Sequence, residues 1–122
     1  MKYLGADSNG LVVQYKFETN DPSKVLILGD EFFLNLGFKK LGHVGNKSTY
    51  EKGSRIMRLL FGAFITYHKH ELLYEVSENL VNVKLINGSS GLSGGLIGMN
   101  KAKADYKRVS EQLNNFYVQK NS

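Results

Sequence analysis

The stretch that decides the fold runs from residue 64 to residue 87 and reads FITYHKHELLYEVS, then Glu78-Asn79, then LVNVKLIN. Both strings alternate between apolar and polar positions, which is the pattern of a β-strand with one buried face. Parallel strands need long crossover connections, so two strands joined by this short turn are predicted to pair antiparallel. One face of the first strand is predicted to hold Phe64, Thr66, His68, His70, Leu72, Tyr74 and Val76.

Further strands are predicted on either side of this hairpin. Residues 11–17 alternate in the same way, after a turn cluster at 7–10, and residues 38–44 and 47–52 flank the hairpin signal Gly45-Asn46. Residues 55–61 fit a strand face and a helical turn equally well, so their structure stays open. The sequence therefore predicts one antiparallel sheet of about five to six strands.

Two amphipathic helices are predicted, one early and one at the C-terminal end. Asp21 is a suitable N-cap, Pro22 suits the first helical position, and Gly37 suits the residue after the helix, which places the first helix at about 22–35. The second helix is predicted at about 100–117, with a frayed tail at about 119–122. Its apolar positions are Ala102, Tyr106, Val109, Leu113, Phe116 and Tyr117.

These elements predict a single α+β domain over residues 1–122, with the order β-α-β-β-(β)-β-β-α. One sheet face must be covered, and the two helices are the candidates to cover it. This order resembles the helix-grip (START-like) arrangement. The resemblance implies a curved antiparallel sheet that wraps a long C-terminal helix.

Composition limits the kinds of chemistry and the location that we expect. The chain has no cysteine, which excludes disulfide scaffolds, thiolate metal sites and cysteine nucleophiles. The N-terminus shows no apolar signal segment, and the longest apolar run, 59–65, is far shorter than the ~20 residues of a membrane span. We therefore predict a soluble cytoplasmic protein without a transmembrane segment.

The histidines of the long strand give the first candidate site. His68 and His70 share a predicted strand face, and Phe61 and Phe64 precede them, which suggests a small-ligand site formed by these four residues. Paired imidazoles at this spacing can also hold a divalent metal ion if His43 or a carboxylate supplies a third ligand. Because ordinary sheet positions explain both histidines without any ligand, no metal or other cofactor is predicted.

The Gly/Ser-rich segment 88–98 gives a second candidate site. Glycines let backbone amides approach a ligand, and the following helix offers its free N–H groups, so an anion is one candidate ligand. A tight structural turn explains the same residues. The motif G-x-S-x-G also occurs around Ser93, but every histidine precedes this serine, so no catalytic residue is predicted. The candidate anion-binding residues are Gly94, Gly95, Gly98, Lys101 and Lys103.

The net charge of +5 raises nucleic acid as an alternative partner. Most of the positive charge follows residue 35, and a basic edge over 39–58 would meet phosphates. The sequence therefore favours a non-catalytic domain that binds a small ligand or a partner protein, with nucleic-acid binding as the alternative. An exposed apolar surface at 55–65 would also suit a homodimer. The basic edge consists of Lys39, Lys40, Lys47, Lys52, Arg55 and Arg58.

Overall fold

The computed structural model describes residues 1–9, 12–53, 67–88 and 95–121. Their elements follow the order β-β-α-β-β-β-β-α. The strands β3 to β6 come between the two helices in sequence. The bounds are β1 Lys2–Asn9, β2 Val12–Glu18, α1 Pro22–Asn35, β3 Lys39–Val44, β4 Lys47–Gly53, β5 Tyr67–Ser77, β6 Leu80–Asn87 and α2 Gly95–Lys120.

The six strands form one antiparallel sheet in the order β1-β2-β6-β5-β4-β3, which confirms the predicted α+β class. The N-terminal strand β1 was not predicted. Asp7 and Ser8, assigned to a turn cluster from the sequence, instead pair with Gln14 and Val13 of β2. The predicted element at 55–61 lies outside the described residues, so β1 accounts for the sixth strand.

The two helices confirm the predicted elements, and the first has the predicted bounds. The Asp21 side chain accepts a hydrogen bond from the Ser23 amide, and Gly37 follows the helix with a φ of 88°, a left-handed conformation that suits glycine. Helix α2 begins earlier and ends later than the predicted 100–117. Near its end, the Lys120 ammonium pairs with the Glu31 carboxylate of α1 at 2.8 Å.

Both helices pack on the same face of the sheet, and the core lies between them and the strands. The opposite sheet face carries ion pairs between neighbouring strands, such as Lys47 with Glu71 and Lys84 with Glu75. The largest buried side chains are Tyr15, Phe17, Phe33, Tyr50, Leu72, Tyr74, Leu85, Leu113 and Tyr117.

The buried tyrosines make the fold sensitive to alkaline pH. Burial raises the pKa of Tyr3 to about 12 and also raises the pKa values of Tyr15, Tyr50 and Tyr117 well above the ordinary value of 10.0. The unfolded chain loses these protons near pH ~10, whereas the folded protein retains them, so stability is expected to fall above pH ~10.

An alkaline titration checks this expectation by comparing tyrosinate absorbance with far-ultraviolet circular dichroism. Most of the absorbance increase should coincide with the loss of secondary structure. In a denatured sample, the same increase should centre near pH ~10. If all tyrosines ionised while the circular dichroism stayed unchanged, the result would contradict the burial of these tyrosine side chains.

Neither described helix combines the length with the apolar character that a membrane crossing requires.

Candidate functional site

The two histidines of β5 lie on the sheet face that the helices cover, as the sequence predicts. In the neighbouring strand β4, Lys52 is opposite His68 and Tyr50 is opposite His70. The His70 side chain is fully buried, and its ring stacks on Phe33 with a centroid distance of 6.0 Å. The His68 side chain is 21% exposed, so it is the histidine that small molecules can reach.

Helix α2 contributes a carboxylate that contacts both histidines. One oxygen of Asp105, Oδ2, lies 2.9 Å from His68 Nδ1 and 2.7 Å from His70 Nε2. The other oxygen, Oδ1, accepts a hydrogen bond from the Arg108 guanidinium one helical turn later. Asp105 is itself 4% exposed, so this four-residue cluster joins α2 to β5 from within the protein.

The electrostatics of the cluster keep Asp105 ionised. Burial alone would raise the pKa of this carboxyl group, but the hydrogen bonds from His68 and His70 outweigh it and hold the pKa well below its ordinary value of 3.8. An ionised carboxylate only accepts hydrogen bonds, so each facing ring nitrogen carries a hydrogen. The neutral and the charged form of an imidazole can both donate such a bond.

In the neutral form of each ring, the nitrogen that does not face Asp105 carries no hydrogen. In His70 this atom is Nδ1, which is buried and has no hydrogen-bond partner within the described residues. In His68 it is Nε2. No three histidine or acidic side chains among the described residues have the arrangement of a metal site.

A cleft of about 190 Å³ opens beside the cluster, between the end of α1, strands β4 and β5, and helix α2. Lys52 lines one side of the cleft. Its ammonium donates a hydrogen bond to the Leu36 carbonyl at 2.9 Å and lies 5.9 Å from the centre of the Phe38 ring. The cleft thus has an apolar part and a polar part. Its lining consists of Leu36, Phe38, Lys52, His68, Arg108, Val109 and Gln112.

A second polar cluster holds α1 against the sheet. The Tyr50 hydroxyl donates to Asp30 Oδ1 at 2.5 Å, and the Lys40 ammonium contacts Asp30 Oδ2 at 2.9 Å. Nearby, Gly29 faces the buried Tyr74 side chain. Because Asp30 is engaged by two donors, this cluster positions α1, which in turn ends at the cleft.

The structure places part of each predicted site. Of the predicted ligand-binding residues, His68 and His70 come together, whereas Phe61 and Phe64 lie outside the described residues. Of the predicted anion-binding residues, Gly94 also lies outside them. Gly95 and Gly98 belong to helix α2 rather than to a loop, and Lys101 and Lys103 lie in the same helix, as predicted.

The described cations of the predicted basic edge are divided between the two faces of the sheet. Lys39 and Lys47 are on the solvent face, where Lys47 pairs with Glu71. Lys40 and Lys52 are on the helix face, where Lys40 pairs with Asp30. Arg55 and Arg58 lie outside the described residues. Within the described chain, the four lysines therefore do not form one continuous phosphate-binding surface.

Sequence reasoning did not identify Asp105 or Arg108. The available signal was an acidic residue on the apolar stripe of a helix, where an unpaired carboxylate would be costly. Asp105 comes four residues before Val109 and eight before Leu113, which are both buried. This position required a partner, but the sequence alone does not indicate which strand supplies it.

Comparison with models of known protein families gives no match, and comparison with curated proteins gives none either.

Proposed function

We propose that this protein is a non-catalytic binding domain that takes a small organic anion in the cleft beside His68. The observation that carries the proposal is the lining of the cleft. Lys52 and Arg108 place two cations there, and none of the lining residues, all of them in the described chain, is Asp or Glu. An anionic group is the ligand chemistry that such a lining favours.

The charge balance of the neighbouring cluster supports the same ligand. The Asp105 carboxylate is already shared by two histidines and Arg108, and it is nearly inaccessible to solvent. Arg108 remains 61% exposed and carries five N–H donors, so it can bind an oxyanion while it keeps its bond to Asp105. Lys52 adds a positive charge that no described carboxylate in the cleft offsets.

The size and the apolar part of the cleft narrow the ligand further. Drug-sized ligands occupy pockets of roughly 300–1,000 Å³, so a cleft of about 190 Å³ suits a smaller molecule. Leu36, Phe38 and Val109 offer an apolar surface beside the two cations. We therefore propose a small carboxylate that carries a ring or a short hydrocarbon group.

Calorimetric titration with phenylacetate, in buffer of low ionic strength, tests the proposal. Phenylacetate should bind the wild type, and Arg108→Gln should weaken binding about tenfold, because a charge-assisted hydrogen bond is lost. Lys107→Gln is the matched control, since it removes the same charge from an exposed position of the same helix. Its affinity should match that of the wild type.

The titration has two outcomes that oppose the proposal. Absence of phenylacetate binding by the wild type would overturn it, and equal weakening by both variants would reduce it to a general charge effect. The cytoplasmic location, the homodimer and the alternative of nucleic-acid binding remain predictions from the sequence.

A further inference from the structure

We infer that the ligand of the cleft carries an O–H or N–H donor in addition to its anionic group, as an α-hydroxy carboxylate does. In this inference His68 Nε2 accepts the hydrogen bond from that donor. The inference rests on the proposed function and narrows its ligand class. It follows from the way in which Asp105 fixes the hydrogen on the His68 ring.

The first step concerns the tautomer of His68. Nδ1 lies 2.9 Å from a carboxylate oxygen that only accepts, so Nδ1 carries the ring hydrogen. A carboxylate partner fixes both the tautomer and the orientation of a histidine ring in this way. In the neutral ring, Nε2 then has a lone pair and no hydrogen, and Nε2 is the polar atom that the ring has left to offer to the cleft.

The second step compares His68 with the other polar groups of the lining. Lys52 and Arg108 only donate, so they suit the oxygens of an anion. The Leu36 carbonyl already accepts from Lys52, and the Gln112 amide can both donate and accept. Nε2 only accepts, and its lone pair opposes a carboxylate oxygen. A ligand with an anion alone would leave this nitrogen without a partner.

The third step concerns the cost of changing this arrangement. A second hydrogen on His68 would place a positive charge next to the Arg108 guanidinium, which contacts the same carboxylate. Rotation of the ring would break the bond to Asp105, which has a second imidazole, His70, on the same oxygen. The contact with Asp105 therefore holds the ring in place, and in the neutral ring the acceptor at Nε2 selects ligands that supply a donor.

Mandelate and phenylacetate form a matched pair of probes, because they differ by one hydroxyl group. In slightly alkaline buffer, calorimetry should show that mandelate binds the wild type about tenfold more tightly than phenylacetate. Mandelamide keeps the hydroxyl group but lacks the charge, and it should bind more weakly than mandelate. In the variant His68→Phe, which keeps a ring of similar shape, the preference for mandelate over phenylacetate should disappear.

The outcomes separate this inference from the function on which it rests. Equal affinity for mandelate and phenylacetate would overturn the inference and leave the anion site in place. Lack of binding by both acids would overturn both. Equal affinity for mandelate and mandelamide would overturn the anion site, and with it the inference.

A measurement on the wild type keeps the inference testable if His68→Phe does not fold. The nitrogen chemical shifts of the His68 ring should show an unprotonated Nε2 in the free protein. Mandelate should change the Nε2 shift more than phenylacetate does. A hydrogen on Nε2 in the free protein would overturn the inference.

Discussion

The variant Asp105→Asn is expected to destabilise the folded protein by about 3 kcal/mol, because it removes one partner from a buried charged cluster. The carboxylate accepts from His68, His70 and Arg108 at once. An asparagine has the same size but keeps only one acceptor oxygen. Its amide group then faces one of the histidine or arginine N–H donors, with which it cannot form a hydrogen bond. Most of the lost stability comes from His70, because its ring is fully buried and loses its acceptor. The exposed Arg108 guanidinium can form a hydrogen bond with water instead.

Urea unfolding at neutral pH measures this change, and Asp7→Asn provides the control. Asp7 is an exposed residue of β1 that accepts a hydrogen bond from the Ser8 amide, so the same substitution there should change stability by less than about 0.5 kcal/mol. If the two variants lose the same stability, Asp105 does not hold the histidines as described.

The difference between wild type and Asp105→Asn should also depend on pH. Since the pKa of Asp105 is lowered in the folded protein, its stabilising effect is complete above the ordinary value of 3.8 and is lost as the pH falls below it. Acid should therefore reduce the difference in unfolding free energy between the two proteins, because it lowers the stability of the wild type. A gap that widens below this pH would contradict an ionised, hydrogen-bonded Asp105.

The variant Gly29→Ala is expected to cost about 2 kcal/mol, although alanine is the better helix former by about 1 kcal/mol. An added Cβ would overlap the Tyr74 hydroxyl and lie 2.8 Å from Leu72 Cδ1. Both neighbours are buried in the packed core, so we expect overpacking to outweigh helix propensity. Thermal or urea unfolding measures the loss.

A second substitution identifies the clash. The Tyr74 hydroxyl is buried and has no hydrogen-bond partner among the described residues, so Tyr74→Phe removes the overlapping atom at little cost. In that background, Gly29→Ala should cost about 1 kcal/mol less. Gly42→Ala is the control, since an added Cβ there meets no described atom within 4 Å. An undiminished cost in the Tyr74→Phe background would mean that another contact is responsible.

Local signals in the sequence were enough to predict most of the fold. The N-cap Asp21 with Pro22 and the glycine at position 37 define α1, and alternation defines β5 and β6, because these signals depend on neighbouring residues alone. Strand β1 escaped prediction because its sequence, KYLGADSN, lacks β-branched residues and contains Gly, Asp and Asn, which are rare in strands. Its pairing with β2 overrides these weak local preferences.

The candidate site was only half predictable, because local sequence signals do not show which distant residues come together. Alternation correctly placed His68 and His70 on one buried face. Their partner Asp105 is 35 residues from His70 in sequence, and no local pattern joins a helix residue to a particular strand. Lys52 was predicted as part of a phosphate-binding edge, whereas tertiary packing places it in the cleft next to Arg108.

The strand order has a consequence for how the chain folds. Neighbouring strands in the described sheet are consecutive in sequence except for β2 and β6, where Glu18 pairs with Leu80 and Val13 with Leu85. Closing so large a loop carries an entropic cost that hairpins avoid. We therefore expect the β3–β6 meander to form early and the docking of β2 on β6 to limit the folding rate. Substitutions in the paired residues of β2 and β6 should slow folding more than substitutions in the β3–β4 hairpin.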